Sequence, residues 1–214
     1  MWPWQDYSDA TVYEPRMNKA RFEAFSDGVF SFAVTLLVLG IVLPHMRDSS
    51  DRGLAIALLG LWPNLLAYAL SFAVIGIMWQ NHHALFRRVE LVDRRTVFLN
   101  LLLLATTVFI PFATSTLGTF PTLHASTFLY GAVLTSCSIW FNVLLTHLIR
   151  SGAFYGDVTA AEIKPTVTAY RVGLVTYACA MLVALFSPFL SFAAYLALVA
   201  YYLVPRGLDA DRHR

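Results

Sequence analysis

The stretch RFEAFSDGVFSFAVTLLVLGIVLP, residues 21–44, places a charged segment directly before a run of nearly uninterrupted apolar residues. Such a run is typical of a helix that crosses the ~30 Å hydrocarbon core of a membrane, which takes ~20 residues. The composition extends this interpretation to the whole chain, because 58% of its 214 residues are hydrophobic and only 13% are charged. A water-soluble domain carries about 25% charged residues. We therefore predict an all-α integral membrane protein.

Six apolar segments are long enough to be drawn as transmembrane helices. Pro63 in the second is expected either to kink that helix or to mark an N-terminal turn, and Pro111 is expected to bend the third. The sixth is short, and a connection of only two residues makes it a tight hairpin with the fifth. The six segments span 25–44, 54–79, 97–117, 126–148, 167–186 and 189–204.

The basic residues predict how these spans are oriented. An even number of spans places both termini on one side, together with the second-to-third and fourth-to-fifth connections. Only Arg47 and Arg52 fall on the other side, and basic residues mark the cytoplasmic side of a membrane protein. We expect one membrane domain over 21–205, between cytoplasmic tails at 1–20 and 206–214. The basic residues on the predicted cytoplasmic side are Arg16, Lys19, Arg21, Arg87, Arg88, Arg94, Arg95, Arg150, Lys164, Arg171, Arg206, Arg212 and Arg214.

Four residues of the first span share one helical face. Phe32, Thr35, Leu36 and Leu39 fall at i, i+3, i+4 and i+7. This face covers roughly 10 Å along the helix axis at ~1.5 Å per residue. Periodicity by itself is also satisfied by an ordinary helix that faces lipid or the protein core.

Asp27 is unusual because a carboxylate here is followed at once by apolar sequence. An unpaired charge costs several kcal/mol once it loses water, so we expect this carboxylate to have a partner. Candidate partners are Arg21 and the donors at the end of the second span, IGIMWQNHHALFRR at 75–88. The alternative is an exposed carboxylate that the helix dipole favours.

His82 and His83 admit three interpretations: a metal site, an interfacial hydrogen-bond network, or a proton sensor. Adjacent residues point about 100° apart on a helix, which makes the two histidines poor ligands for one metal ion. No TVGYG-like filter, arginine ladder, Walker loop or mid-membrane charge is found. No nucleophile or metal-ligand spacing points to an enzyme, and nothing indicates a nucleic-acid partner.

Three segments carry a family resemblance. RFEAFSDGVFSFAVTLLVL at 21–39, WQNHHALF at 79–86 and LNLLLLATTVFIPFAT at 99–114 resemble, in order and spacing, the bacterial members of the transmembrane protein 175 family of lysosomal potassium channels. The resemblance implies a lipid-embedded homotetramer of six-span subunits in the bacterial inner membrane. It implies passive conduction of monovalent cations, with potassium as the permeant ion, no enzymatic activity and no cofactor.

The same resemblance assigns roles to residues. It implies that the first helix lines the pore, with an apolar constriction at Phe32 followed by Thr35, Leu36 and Leu39, and that the only metal is transient potassium near Thr35. It also implies a structural signature that ties the pore helix to the second and third spans. The signature residues are Arg21, Phe25, Ser26 and Asp27, with Trp79, Asn81, His82 and His83 as expected partners.

Two positions depart from the family pattern, which usually has Ile or Leu at the constriction and often an acidic residue at the outer mouth. Here these positions are occupied by Phe32 and Gly40. Both differences bear on conductance and cation preference. The rival function is a proton-conducting pathway or a secondary transporter that uses the interfacial cluster of His82, His83 and Asp27.

Overall fold

The computed structural model describes residues 18–45, 50–156 and 158–202. All regular structure in these ranges is helical, apart from one isolated antiparallel β-bridge between Val89 and Phe154. Residues 1–17 of the predicted N-terminal tail, the predicted C-terminal tail at 206–214 and the last residues of the sixth predicted span lie outside the described residues.

The chain forms eight α-helices within the described ranges. The first, α1, is continued by one turn of 3-10 helix, Leu37–Gly40. The helices are α1 (Lys19–Leu36), α2 (Asp51–Gly60), α3 (Trp62–Arg87), α4 (Arg94–Thr107), α5 (Ile110–Thr119), α6 (His124–Arg150), α7 (Ala160–Val183) and α8 (Pro188–Tyr202).

Five helical stretches are long and apolar enough to cross a membrane. They are Lys19–Gly40, Trp62–Arg87, Arg94–Thr119, His124–Arg150 and Ala160–Val183. The sixth predicted span corresponds to α8, which is apolar but has only 15 residues in the described part of the chain. The all-helical membrane architecture is therefore as predicted, with five helices of spanning length and a shorter sixth.

The predicted second span, 54–79, is wrong at both of its limits. The helix breaks after Gly60, and the helix of spanning length runs from Trp62 to Arg87. Pro63 lies in the first turn of this helix. Backbone N–H groups in a first turn have no acceptor within their own helix, so proline, which lacks an N–H, costs no hydrogen bond there. Pro63 therefore marks the start of a helix and does not kink one. The histidine pair consequently lies inside α3, with another turn of helix beyond it.

Pro111 has the same effect on the predicted third span. A break at Val108 and Phe109 divides it into α4 and α5, and Pro111 occupies the first turn of α5. The helix resumes with a hydrogen bond from the Ala113 N–H to the Phe109 carbonyl, 3.2 Å. The predicted bend is therefore a two-residue interruption.

Side-chain oxygens cap several of the helix starts. Asn18 accepts from the Ala20 N–H at the start of α1, and Asp93 accepts from the Thr96 N–H at 2.6 Å at the start of α4. Thr159 begins α7 in a reciprocal capping box with the glutamate three residues later. These contacts satisfy N–H groups that have no partner inside their own helix.

One end of the molecule gathers the start of α1 and the connections α3–α4 and α6–α7. Lys19 Nζ donates to the Val89 carbonyl at 2.6 Å, and the Glu90 N–H donates to the Ala153 carbonyl at 2.8 Å. The Tyr155 N–H completes the bridge by donating to the Arg88 carbonyl at 3.0 Å. We call this the basic end, because the sequence concentrates its arginines and lysines in these segments.

Candidate pore helix and its polar anchor

One face of α1 is packed against the rest of the subunit. Phe22, Ser26, Phe30, Ala33 and Leu37 are all buried, at successive spacings of four, four, three and four residues. These side chains meet α3, α4 and α5. Because the spacing alternates around the 3.6-residue repeat, the buried residues form a single stripe along the helix.

The opposite face of α1 is left open in the single subunit. Phe32 is 61% exposed and Leu39 is 70% exposed, although both are large apolar side chains. Thr35 is also exposed, whereas Leu36 is half-buried at the margin. We call this the open seam of α1, and its exposed members, at alternating spacings of four and three residues, are Arg21, Phe25, Gly28, Phe32, Thr35 and Leu39.

Thr35 is the polar side chain near the middle of the open seam. Its hydroxyl donates to the Phe32 carbonyl of the preceding turn at 2.8 Å. A hydroxyl has one proton to donate and two lone pairs to accept with. The Thr35 proton is thus used within the helix, and the oxygen retains lone pairs that a cation or a water molecule can occupy.

The 3-10 turn that extends α1 lies directly against α5. The Ser115 hydroxyl donates to the Gly40 carbonyl at 3.5 Å. A Cβ placed on Gly40 would lie 3.0 Å from the Cβ of Ser115, which is closer than ordinary packing. Any side chain at position 40, including an acidic one, therefore requires α5 to yield locally.

A buried chain of polar side chains, which we call the polar anchor, joins Ser26 on α1, His82 on α3 and Asn100 on α4. The side-chain oxygen of Asn100 accepts a hydrogen bond from His82 Nε2 at 2.9 Å, and its amide nitrogen donates to the Ser26 hydroxyl at 2.9 Å. The Ser26 hydroxyl in turn donates to the Phe22 carbonyl at 3.0 Å. All three side chains are at most 1% exposed. A buried and fully connected network of this kind fixes the mutual register of the helices that supply it.

Since an amide oxygen has no proton, the His82–Asn100 contact fixes the histidine tautomer. Nε2 must carry the proton and donate it to the Asn100 oxygen. Three phenyl rings enclose the imidazole, with centroid distances of 4.6 Å to Phe86, 5.4 Å to Phe30 and 6.4 Å to Phe22. His82 is consequently a helix-joining residue with no opening to water.

Asp27 has a separate partner on the outer side of this polar chain. Trp79 Nε1 donates to the Asp27 carboxylate at 2.8 Å, and the indole stacks on His83 at a centroid distance of 6.0 Å. Trp79 is 41% exposed, so this group lies at the surface of the subunit. The predicted partnership of Asp27 with the end of the second span is present, with the indole N–H as the donor.

Other residues of the predicted signature are not brought into these contacts. Arg21 is exposed and forms neither an ion pair nor a side-chain hydrogen bond within 18–45, 50–156 and 158–202. Phe25 is 52% exposed on the open seam. Asn81 contributes its backbone carbonyl, which accepts from the Tyr170 hydroxyl at 3.3 Å, and thus contacts α7.

Asn100 is the residue whose role the sequence reasoning missed. It lies at the centre of the polar anchor, where it contacts both His82 and Ser26. The available signal was a single amide within a run of leucines, LNLLLL at 99–104. Within the part of the chain that the structure describes, no three His, Cys, Asp or Glu residues are grouped to hold a metal ion.

Comparison with known proteins places this arrangement in a family. The sequence model described as the endosomal/lysosomal potassium channel TMEM175 matches residues 21–111, which include α1 apart from its first two residues, the polar anchor and the first two residues of α5. A potassium channel of Streptomyces collinus is 38% identical over 192 residues, covering 87% of this chain and 92% of the relative.

Two further similarities extend the comparison. The crystal structure of a lysosomal potassium-selective channel TMEM175 homolog from Chamaesiphon minutus superposes with a TM-score of 0.77 and 34% identity, covering 86% of this chain and 96% of that one. The human endosomal/lysosomal proton channel TMEM175 is 42% identical over 100 residues, which is 44% of this chain and 20% of the human one. The resemblance seen in the three sequence segments is thus confirmed: this chain belongs to the TMEM175 family, and it is a membrane ion channel and not an enzyme.

Proposed function

We propose that this chain forms a potassium-permeable cation channel whose pore is lined by the open seam of α1. The observation that carries the proposal is the contrast between the two faces of that helix. One face is anchored by buried side chains, whereas Phe32 and Leu39 are left more than half exposed. Relatives that share most of this chain's length are potassium channels, from Streptomyces collinus and Chamaesiphon minutus.

The spacing of the open seam fits an assembly of subunits around a common axis, and we propose a homotetramer. Alternating steps of four and three residues, as from Phe25 to Leu39, keep one stripe of a helix directed at a common axis. Four copies of α1 around such an axis would form a ring of Phe32 side chains. An apolar ring excludes water when it is narrow, so it gates by dewetting and opens with a small rotation or outward movement of the helix.

Thr35 supplies the polar site next to this constriction. Four hydroxyl oxygens, each with its proton donated to its own helix, would present lone pairs toward a partly hydrated cation. Potassium is larger and holds its water less tightly than sodium, so we propose preferential permeation of potassium with weak discrimination. The only metal needed is the permeant ion, passing transiently near Thr35, and no cofactor is required.

The basic end of the molecule supports an orientation in the membrane. Arg87, Arg88, Arg94, Arg95 and Arg150 all lie in helix ends or connections there. We propose a multi-pass protein of the bacterial inner membrane in which this end is cytoplasmic. The subunit would span the membrane six times, with α8 as the sixth span, one membrane domain over 21–205 and both short tails cytoplasmic.

Potassium flux from liposomes tests the function directly. Potassium-loaded vesicles that contain the purified protein should release potassium faster than protein-free vesicles do. Vesicles loaded with sodium in place of potassium should release sodium more slowly. The flux should rise in proportion to the ion gradient without saturating. Potassium release equal to that of protein-free vesicles would contradict the proposal.

Proton conduction is the second candidate, and one observation favours it. Asp27, Trp79 and His83 form a contact chain at the subunit surface, where two titratable groups are joined through an indole. The human relative is a proton channel. Proton entry into vesicles with a pH-sensitive dye inside, at constant potassium, distinguishes this route, and His83→Gln should slow it. Saturable flux coupled to the pH gradient would instead indicate a secondary transporter.

A further inference from the structure

A cavity of about 400 Å³ lies between α4, α6 and α7, on a part of the subunit to which α1 contributes no lining residue. Two arginines line it at the basic end: Arg95 in the first turn of α4 and Arg150 at the last residue of α6. Both are exposed, and neither makes an ion pair or a side-chain hydrogen bond within the described ranges. Two guanidinium groups thus line the same cavity, and neither is paired with another group in the described part of the subunit.

The rest of the cavity grades from polar to apolar along the helices. On α6 the lining residues recur every three or four positions from Ile139 to Arg150, which is one helix face about 16 Å long at ~1.5 Å per residue. Leu99 on α4 and Leu174 on α7 complete the apolar part. The cavity therefore has a cationic end and an apolar body, in a subunit whose surroundings are lipid.

The carboxylate next to this site is already engaged. Asp93 accepts from the Thr96 N–H at 2.6 Å and lies 3.1 Å from His147 Nε2, and His147 itself lines the cavity. Asp93 therefore bonds to His147 and caps its own helix, and it does not neutralise Arg95 or Arg150. Both arginines can therefore bind another anion. Arginine binds phosphate oxygens through paired N–H donors, which makes phosphate the matching group.

We infer that this cavity binds an anionic phospholipid, with its phosphate held between Arg95 and Arg150 and an acyl chain lying along Leu99, Val143 and Leu174. Basic pockets between membrane helices on the cytoplasmic side bind such headgroups. The apolar body distinguishes a lipid from free phosphate, because a free ion would leave that surface uncovered. The site is separate from the open seam of α1, so the binding does not depend on which ion the channel conducts.

Native mass spectrometry of the purified channel with added phosphatidylglycerol tests this inference without any measurement of current. Each arginine near a membrane surface contributes about 1 kcal/mol to the binding of an anionic lipid, which is about fivefold in affinity. The double variant Arg95→Gln/Arg150→Gln should therefore bind phosphatidylglycerol about 25-fold more weakly. The charge-matched double variant Arg87→Gln/Lys164→Gln removes two exposed cations that do not line the cavity, and it should bind as the unmodified protein does.

A second pair of variants tests the apolar body. Val143→Trp places an indole ring in the cavity from α6. Val175→Trp adds the same ring at a position that is 61% exposed and does not line the cavity. Only the first should weaken phosphatidylglycerol binding. Phosphatidylcholine should bind weakly to all variants, and inorganic phosphate at millimolar concentration should not displace the lipid.

Four outcomes would overturn the inference. Undiminished lipid binding by the Arg95→Gln/Arg150→Gln variant would show that these arginines do not hold the phosphate. Equal weakening of lipid binding by the charge-matched control would show that the net charge of the protein, and not the two cavity arginines, determines the affinity. Displacement by inorganic phosphate would assign the site to a free ion, and dissociation of the oligomer in the double variant would assign the arginines to a contact between subunits.

Discussion

Phe32 is the residue on which the proposed gate depends. It is 61% exposed in the subunit and belongs to the open seam of α1. Replacing it with alanine in a ring of four would widen and wet the constriction. We expect Phe32→Ala to raise potassium flux on the order of tenfold, which corresponds to a barrier lower by about 1.4 kcal/mol.

The matched control for this change is Phe72→Ala on α3, where an equally large ring is 48% exposed away from the seam. Its potassium flux from liposomes should equal that of the unmodified protein. Unchanged flux and ion preference in Phe32→Ala would remove Phe32 from the constriction. A gain in flux by both variants would point to a general loosening of the subunit.

Asn100 is expected to matter for stability, because it is hydrogen-bonded to two buried side chains. Asn100→Leu would leave His82 Nε2 without its acceptor and remove the amide donor to Ser26. A buried polar group left without a partner costs about 1–3 kcal/mol. We therefore expect a clearly lower unfolding temperature in detergent.

Ser136→Ala is the control for Asn100→Leu, since within the described residues the Ser136 hydroxyl bonds only to the Ala132 carbonyl of its own helix. Its unfolding temperature should change little. If Asn100→Leu is as stable as the control, the hydrogen bonds of this chain are not what joins α1 to α3 and α4.

The contacts of Asp27 and Asn100 show which side-chain partners can be predicted from the sequence and which cannot. The expectation that Asp27 has a partner followed from the cost of an unpaired charge, and the donor Trp79 was among the candidates. The centre at Asn100 could not be found in the same way. A neutral amide in a leucine run is satisfied by many neighbours, and only the packing of α4 against α1 and α3 decides which of them it meets.

At the scale of helices, α5 approaches the backbone of α3 so closely at Gly118 that no side chain fits between them. A Cβ on Gly118 would lie 2.8 Å from the Cα of Asn64, which is a backbone atom and cannot rotate away. Gly118→Ala must therefore separate the two helices. We expect it to lower the stability by about 1–3 kcal/mol, as overpacking of a core does, measured by thermal unfolding in detergent.

Gly76→Ala is the matched control for this prediction, because a Cβ there meets nothing within 4 Å. Alanine favours a helix over glycine by about 1 kcal/mol, so this variant should be as stable as the unmodified protein or slightly more so. The prediction fails if both glycines tolerate alanine equally.

The start of α4 has a pH-dependent contribution from Asp93. Partial burial raises the pKa of this carboxyl, but hydrogen bonds from Thr96 and His147 outweigh it and hold the pKa below its ordinary value. A carboxyl whose pKa is lower in the folded state stabilises the fold above the ordinary pKa of about 4, and this contribution is lost as the pH falls through the folded value.

The replacements Asp93→Ala and Asp93→Asn separate the contribution of the helix cap from the contribution of the negative charge. Asparagine caps a helix nearly as well as aspartate, whereas alanine loses about 1 kcal/mol. At pH 7 we expect Asp93→Ala to be the less stable variant in thermal unfolding. The difference between the unmodified protein and Asp93→Asn should shrink as the pH is lowered from 5 to 3. A difference independent of pH would mean that the charge of Asp93 contributes nothing to the fold.

The helix boundaries show a second limit of sequence reasoning. Hydropathy located the apolar segments, because burying such segments in lipid depends on composition alone. It could not decide whether Pro63 and Pro111 lie inside helices or begin them, since both arrangements are compatible with a membrane. In each case the structure puts the proline in a first turn, so that α3 begins at Trp62 and α5 begins at Ile110.

At the scale of the whole molecule, α1 carries both the buried contacts that hold it in the subunit and the seam that we propose to line the pore. Its buried stripe holds it against α3, α4 and α5, and its other face is the exposed open seam. Because the two stripes occupy one helix, a rotation that rearranges a pore must also strain the polar anchor at Ser26 and the separate hydrogen bond between Asp27 and Trp79. The anchor and the proposed gate are therefore expected to be mechanically coupled.

The number and arrangement of subunits is the prediction that belongs to this scale. If four copies meet along the open seam, native mass spectrometry should give four times the 23.9 kDa of one chain. In a background with Cys179→Ser, which removes the exposed cysteine, Leu39→Cys should then be joined between subunits by a short bismaleimide. Leu59→Cys is the matched position, because Leu59 is 75% exposed on α2 against 70% for Leu39 but lies outside the seam. Cross-linking at Leu59 in place of Leu39 would put α2 at the subunit contact and leave α1 facing lipid, since a maleimide joins only cysteines that the assembly brings within its short reach.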